Sequence, residues 1–337
     1  MKIKSMGIHW IATLWMASIC MGLGTAVGEE GKKVLVVHSY HETQQGHVVE
    51  MTQGIREAFI GFGVNMKFFH MDTKRGTDPA WKKEAGKMAT REMLAFQPHV
   101  VIAMDDNAQA FFVKPNMSRK NAPFFVFGGV NATLSDYGFP TKNVTGVLER
   151  PNIKESIELL QKIVPTVKRM VILSDKSRTT DLFVKYSKTL DLPVEILGYE
   201  QPRTMTEWQS VVAEYRDKVD AFGVYLLRTI DDDSNPGHQV PEAELIEFLN
   251  THGNLPTVGF FDTAATSGIL CGISVSMKEQ GYAAGHMARA ILEGHKITDF
   301  KIQPTSKGRI LLNLKTAEKL EIEMDWNIIS KADEVVK

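Results

Sequence analysis

"HVVIAMDDNAQAFF", residues 99–112, decides how this chain is read. Val100 to Met104 is an unbroken apolar run, the mark of a strand buried on both faces of a parallel sheet. It stops at Asp105, Asp106 and Asn107, and a short helical segment near 107–114 follows. In an open α/β sheet such a switch falls at the carboxyl edge of a strand, where ligands bind. Two readings of the triplet stay open. Asp106 or Asn107 caps the next helix, or the triplet forms a wall of a ligand site, and one residue can cap while its neighbour faces the ligand. A catalytic carboxylate pair is disfavoured, because adjacent residues at a helix start point apart, whereas glycosidase-type pairs flank the bond from separate elements.

The same alternation extends in both directions. Strand-like runs at 32–38, 64–71, 123–128 and 144–148 alternate with helical spacing at 47–62 and 81–96, which makes one α/β lobe. The pattern then restarts. Helices are expected at 152–163, 179–190, 205–217 and 241–251, with strands at 168–175, 193–199, 220–226, 256–261 and 269–275. A helix at 279–293 and a tail with a strand at 309–313 and two short helical segments complete the chain. The fold class is therefore α/β, with two Rossmann-like lobes and mainly parallel sheets. Lobe 1 is expected over 32–148 plus about 277–298 and lobe 2 over 149–276. The tail, 299–337, is expected to pack on lobe 2 and the hinge.

The 337 residues carry 43% hydrophobic and 23% charged side chains and a net charge of -1, so no global field draws nucleic acid or anionic lipid. "MKIK" followed by "GIHWIATLWMASICMGLG" and by Ala26 and Gly28 has the basic, apolar, small-residue order of a cleavable secretory signal over 1–28, an uncleaved anchor being the alternative. Export to the periplasm, or another extracytoplasmic space, follows. The mature chain, with no second apolar span, is expected to be soluble and monomeric. After the cut one cysteine remains, Cys271, in an apolar run and so expected in the core. No Cys/His cluster has metal spacing. There is no GxGxxG after the first strand, no GxxxxGK[ST] and no GxSxG. We expect no enzyme, no cofactor and no metal.

The polar residues gather at strand ends. "HSYH" ends the first strand and brings Ser39, Tyr40 and His41. Asp105, Asp106 and Asn107 end the third, "GGVN" to Asn131 the fourth, and the fifth leads to Glu149. In the second half the ends bring Ser174, Asp175, Arg228 and Asp262. Each has a plainer reading: Tyr40 packs between lobes, His41 lies on the surface, and Arg228 pairs with the loop Asp231–Asp233. Facing lobes lined this way suit a small polar or zwitterionic molecule.

"VLVVHSYH", "MDTKR", "VVIAMDDNA", "VFGGVNAT", "VTGVLE" and "GFFDTAATSGILCGISVSMKEQGYAAGHMARAILEG", in that order, resemble the ABC-transporter substrate-binding family. The branch is the one related to histidine-kinase sensor domains and to tryptophan- and tyrosine-binding lipoproteins. The resemblance implies a type I periplasmic-binding-protein fold, two lobes joined by three crossovers and closing on a ligand. It places Ser39, Tyr40, His41, Asp105, Asp106, Asn107 and Asn131 on the first wall, and Arg228 and Asp262 on the second. It implies an ABC permease or a membrane sensor as partner. Relatives often carry a tryptophan soon after "SYH"; here "ETQQGHVV" has no aromatic, which argues against an aromatic-stacking pocket.

Overall fold

The computed structural model describes residues 31–41, 46–76, 78–235, 237–305 and 307–337. The leader read at 1–28 and the "ETQQ" stretch lie outside them. The described chain forms thirteen strands. They are β1 (Lys33–His38), β2 (Asn65–His70), β3 (Val100–Met104), β4 (Phe124–Val130), β5 (Val144–Leu148), β6 (Arg169–Leu173), β7 (Glu195–Glu200), β8 (Ala221–Val224), β9 (Thr257–Gly259), β10 (Cys271–Val275), β11 (Gln303–Pro304), β12 (Gly308–Asn313) and β13 (Glu334–Val336). The helices are α1 (Gly46–Ala58), α2 (Pro79–Phe96), α3 (Asp105–Ala108), α4 (Lys114–Asn116), α5 (Leu134–Tyr137), α6 (Ile153–Ile163), α7 (Arg178–Ser187), α8 (Met205–Tyr215), α9 (Glu242–Phe248), α10 (Met277–Leu292), α11 (Leu314–Lys319) and α12 (Trp326–Ile329). A wider turn at Gln109–Val113 joins α3 to α4. No helix among the described residues is long and apolar enough to cross a membrane.

The strands make two sheets, in the orders β11-β5-β4-β3-β1-β2 and β13-β12-β10-β9-β8-β6-β7. Every pairing in the first is parallel, and in the second only β10 with β12 is antiparallel. The first five strands of each sheet follow the same 2-1-3-4-5 order, which reverses beside the first strand and opens a crevice there. The duplication, invisible as a sequence repeat, is thus one of topology. The sequence-predicted tail is divided. β11 joins the first sheet, whereas β12 and β13 extend the second.

Burial follows the pleat. On β3, Val101 and Ala103 enter the cluster with Ala85, Ala89 and Phe112, and Val100, Ile102 and Met104 enter the opposite cluster with Met51, Ile55 and Ala284. Helices therefore cover both faces, which explains the unbroken apolar run. Cys271 is fully buried in the second sheet, as its apolar context implies. α1 and α10 pack closely because glycines leave room. A Cβ at Gly54 would sit 2.0 Å from the Lys278 carbonyl oxygen, and one at Gly281 2.0 Å from that of Met51. The chain passes between the sheets three times, after β5, after β10 and after β11.

Candidate functional site

The carboxyl edge of the first sheet is built around the β1/β3 crevice. Ser39 follows β1 and is fully buried. Its hydroxyl donates to the Met104 carbonyl (2.8 Å) and accepts the Ala108 N–H (2.8 Å). Its own carbonyl accepts from the Thr73 hydroxyl (2.7 Å) and N–H (2.9 Å). Ser39 therefore caps the helix that starts at Asp105 and has no hydrogen left for a ligand. This corrects the expectation that Asp106 or Asn107 is the cap. The Asn107 amide reaches the Thr73 hydroxyl instead, at 2.9 Å.

The two aspartates separate sharply. Asp106 accepts the N–H groups of Asn131 (3.2 Å) and Ala132 (3.1 Å) and the Tyr137 hydroxyl (2.7 Å), and so ties down the loop after β4. Asp105 is 6% exposed, sits at a left-handed φ of 66°, and its Oδ2 has no hydrogen-bond partner. Burial, then the nearby Glu149 and Asp106 charges, push its carboxyl well above the usual range, with Lys74 opposing. Glu149 lies beyond β5, half-buried, and burial lifts its carboxyl to about 7. The Asn131 side chain opposes that shift by hydrogen bonding, while Asp106 and Asp262 reinforce it.

Aromatic and basic groups frame these acids. Tyr40, half-buried, stacks edge-on to His47 at 5.7 Å, with the Lys74 ammonium 5.8 Å from its ring. Burial and then Asp105, Asp106 and Glu149 raise its phenol to about 12. His41 tilts against His70 at 5.1 Å. From the second sheet, Tyr225 follows β8, stacked on Phe183 at 4.0 Å. Burial raises its phenol to about 12, with Glu149 adding and Arg228 opposing. Asp262 stands on an exposed turn after β9. Desolvation by the surrounding protein raises its carboxyl, against Arg309, with Glu50 on α1 adding and Arg228 opposing. Residues of both sheets thus share one electrostatic field.

At the second crevice, between β6 and β8, Asp175 is buried and its Oδ2 accepts the Arg228 N–H at 2.8 Å. The Arg228 side chain is exposed and near enough to Asp262 to oppose the shift of its carboxyl. The Asp231–Asp233 run is engaged elsewhere: Asp233 accepts the Thr206 N–H at the start of α8, and Asp232 turns onto Ser234. A concavity of about 560 Å³ lined by Pro165, Thr166, Lys168, Arg169, Glu195 and Asp220 lies at the amino ends of β6, β7 and β8, remote from all these groups.

A profile of the ABC transporter substrate binding protein family matches residues 47–336. The chain belongs to that family. A tyrosine-binding protein of Clostridioides difficile (strain R20291) is 21% identical over 189 residues, 55% of this chain and 51% of that one, so the match spans about half the length of that relative. Among solved structures, the ligand-free, open form of CD0873, a substrate binding protein with adhesive properties from Clostridium difficile, superposes with a TM-score of 0.64 at 15% identity, covering 91% of this chain and 99% of that one. At that identity the likeness is one of fold. The Streptococcus pneumonia ABC domain in complex with L-Trp scores 0.49 at 19% identity, covering 91% and 100%.

In this substrate-binding protein, sequence reading found the acids and missed much of their frame. Lys74 is visible in "MDTKR" and Arg150 directly after Glu149, as charges at strand ends. The Arg150 guanidinium donates to the carbonyls of Glu149 (2.6 Å), Val130 (3.0 Å) and Ala132 (3.3 Å) and lies 6.0 Å from the Tyr186 ring. Tyr225 directly follows the strand run "AFGV", and only its phenol hydroxyl marks it as polar. The family is one of substrate-binding proteins rather than enzymes.

Proposed function

We propose that this protein is exported and captures a small zwitterionic ligand, an amino acid or close analogue, between its two lobes for delivery to an ABC permease. The observation that carries this reading is Asp105: a buried carboxyl with an unpartnered oxygen, beside Glu149, at the crevice of the first sheet. An ammonium group placed there supplies the missing donor and compensates the clustered acids. Arg228, on the second lobe, faces the ligand's carboxylate. Tyr40 and Tyr225 offer ring faces from opposite lobes, so aromatic side chains are accommodated without the tryptophan that relatives carry after "SYH". The tyrosine-binding relative makes amino acids the first class to screen. The ligand favours the closed form by touching both lobes, since differential contact is what shifts such an equilibrium. The leader at 1–28 directs export, and the chain works as a monomer outside the cytoplasm. Signalling to a kinase or chemoreceptor draws no support from the family assignment.

A thermal-shift screen of amino acids, small peptides, nucleosides and organic acids tests the reading, because a ligand of the folded state raises the melting temperature. An amino acid hit that loses at least about tenfold in affinity in Asp105→Ala and Arg228→Ala, equivalent to ~1.4 kcal/mol, is expected. Unchanged affinity in Asp105→Ala, Asp106→Ala and Arg228→Ala together overturns the site.

A further inference from the structure

Three connections join the sheets: from Leu148 to Asn152, from Val275 to Met277, and from Pro304 to Gly308. Two buried carboxamides tie them together, one at each end. Gln280, in the first turn of α10, is fully buried. Its Oε1 accepts the Gly129 N–H at 3.0 Å, and its Nε2 donates to the Leu148 carbonyl and to the Thr305 hydroxyl, both at 3.1 Å. One side chain just past the second connection thus holds the ends of the first and third against the first sheet. Gly129 meets it at a left-handed φ of 68°, where β4 bulges from its pairing with β5.

The second sheet has the matching arrangement. Asn152, 6% exposed, closes the first connection, and its Nδ2 donates to the carbonyl of Ser274 beside the second at 3.2 Å. Gly308, which ends the third, covers this pair so tightly that a Cβ there would lie 2.4 Å from the Ser274 oxygen and 2.6 Å from Asn152 Nδ2. Ser156 strengthens the knot: its hydroxyl donates to the Asn152 carbonyl (2.6 Å) and accepts the Ile273 N–H (2.9 Å). A carboxamide is suited to such a place because it offers both donors and an acceptor at fixed spacing. Breaking the ties leaves buried main-chain groups unpaired, which is costly, so each end holds as a unit.

We infer that Gln280 and Asn152 are the positioning residues of the hinge, Gln280 bonding the first and third connections from the end of the second, and Asn152 bonding the first to the second with Gly308 of the third packed on the pair, so that closure turns about the short spans between the two clamps. The inference rests on the closure proposed above but not on the ligand class. It is tested without ligand, so failure of the amino acid screen leaves it standing.

Nitroxide labels at Ala95→Cys on α2 and Ala213→Cys on α8, both exposed positions, report the distance between lobes in a Cys20→Ser background, where buried Cys271 stays unlabelled. Gln280→Met and Asn152→Ala are expected to widen the distance distribution roughly twofold, because the three connections then bend independently. Thr305→Val, which removes one acceptor at a half-buried site, is expected to widen it less, and it decides the matter alone if the other two variants do not fold. A fall in melting temperature with widths unchanged assigns these side chains to local stability only and overturns the inference.

Discussion

At the scale of single residues, the polar edge of the first sheet divides into groups that build the site and groups that face it. Ser39 builds. Ser39→Ala removes the acceptor for the Ala108 N–H and should cost about 1–2 kcal/mol in urea unfolding. Glu149 faces the crevice, and its ionisation should be visible in stability. Its carboxyl moves from an ordinary value of 4.5 to about 7 in the folded protein. Between those values the folded chain keeps a proton that the unfolded chain has lost, so this contribution to stability falls as pH rises through that window. His38 runs the other way. Burial, then His70 and His47, hold its imidazole at about 3, so the unfolded chain gains a proton first and stability is lost on acidification below 6.5. The comparison that isolates Glu149 is therefore with Glu149→Gln. Guanidinium unfolding should find the two proteins close at pH 5 and the variant more stable at pH 8, by on the order of 1 kcal/mol once partial exposure is allowed for.

At the scale of elements, the contact between α1 and α10 fixes how the first lobe receives the chain returning from the second. The small residues Gly281, Ala284, Gly285 and Ala288 form a buried stripe on α10, and Gly54 answers from α1. Gly281→Ala would drive a methyl group into the Met51 carbonyl and should cost about 3 kcal/mol or more, since main chain cannot yield as a side-chain tip does. Gly46→Ala, at the open start of α1, meets nothing within 4 Å and should leave the unfolding midpoint unchanged or raised. A chemical denaturation series on both variants checks the contrast. Because Gln280 adjoins this stripe, the packing that seats α10 also seats the clamp on the first connection.

At the scale of the whole molecule, the proposed capture is a matter of two lobes brought to one ligand. A screening hit at a hundred times its Kd should stabilise the fold by about 2.7 kcal/mol. It should also reduce the radius of gyration in solution scattering. Asp105→Ala, its affinity lowered at least about tenfold, should at the same ligand concentration be stabilised by about 1.4 kcal/mol or less, which separates capture in the crevice from binding elsewhere. Asp262 repels both Glu50 and Glu149 across the lobes, so on the proposed reading a cationic group entering beside it adds to the drive for closure.

The sequence by itself determined two α/β lobes and put the polar residues at the carboxyl ends of their strands. Apolar runs such as Val100–Met104 and the three-and-four spacing of α1 are local patterns, legible without the fold. β11 and β13, of two and three residues, are too short to carry a period and exist only through their partners. The roles at the site were undecidable for the same reason. Whether Ser39 is a wall or a cap depends on Met104 and Ala108, 65 and 69 residues away. Whether Asp105 or Asp106 is engaged depends on Asn131, Ala132 and Tyr137, which reach Asp106 alone. Tertiary structure decided these questions because a hydrogen bond belongs to two groups, and the chain names only one of them at each position.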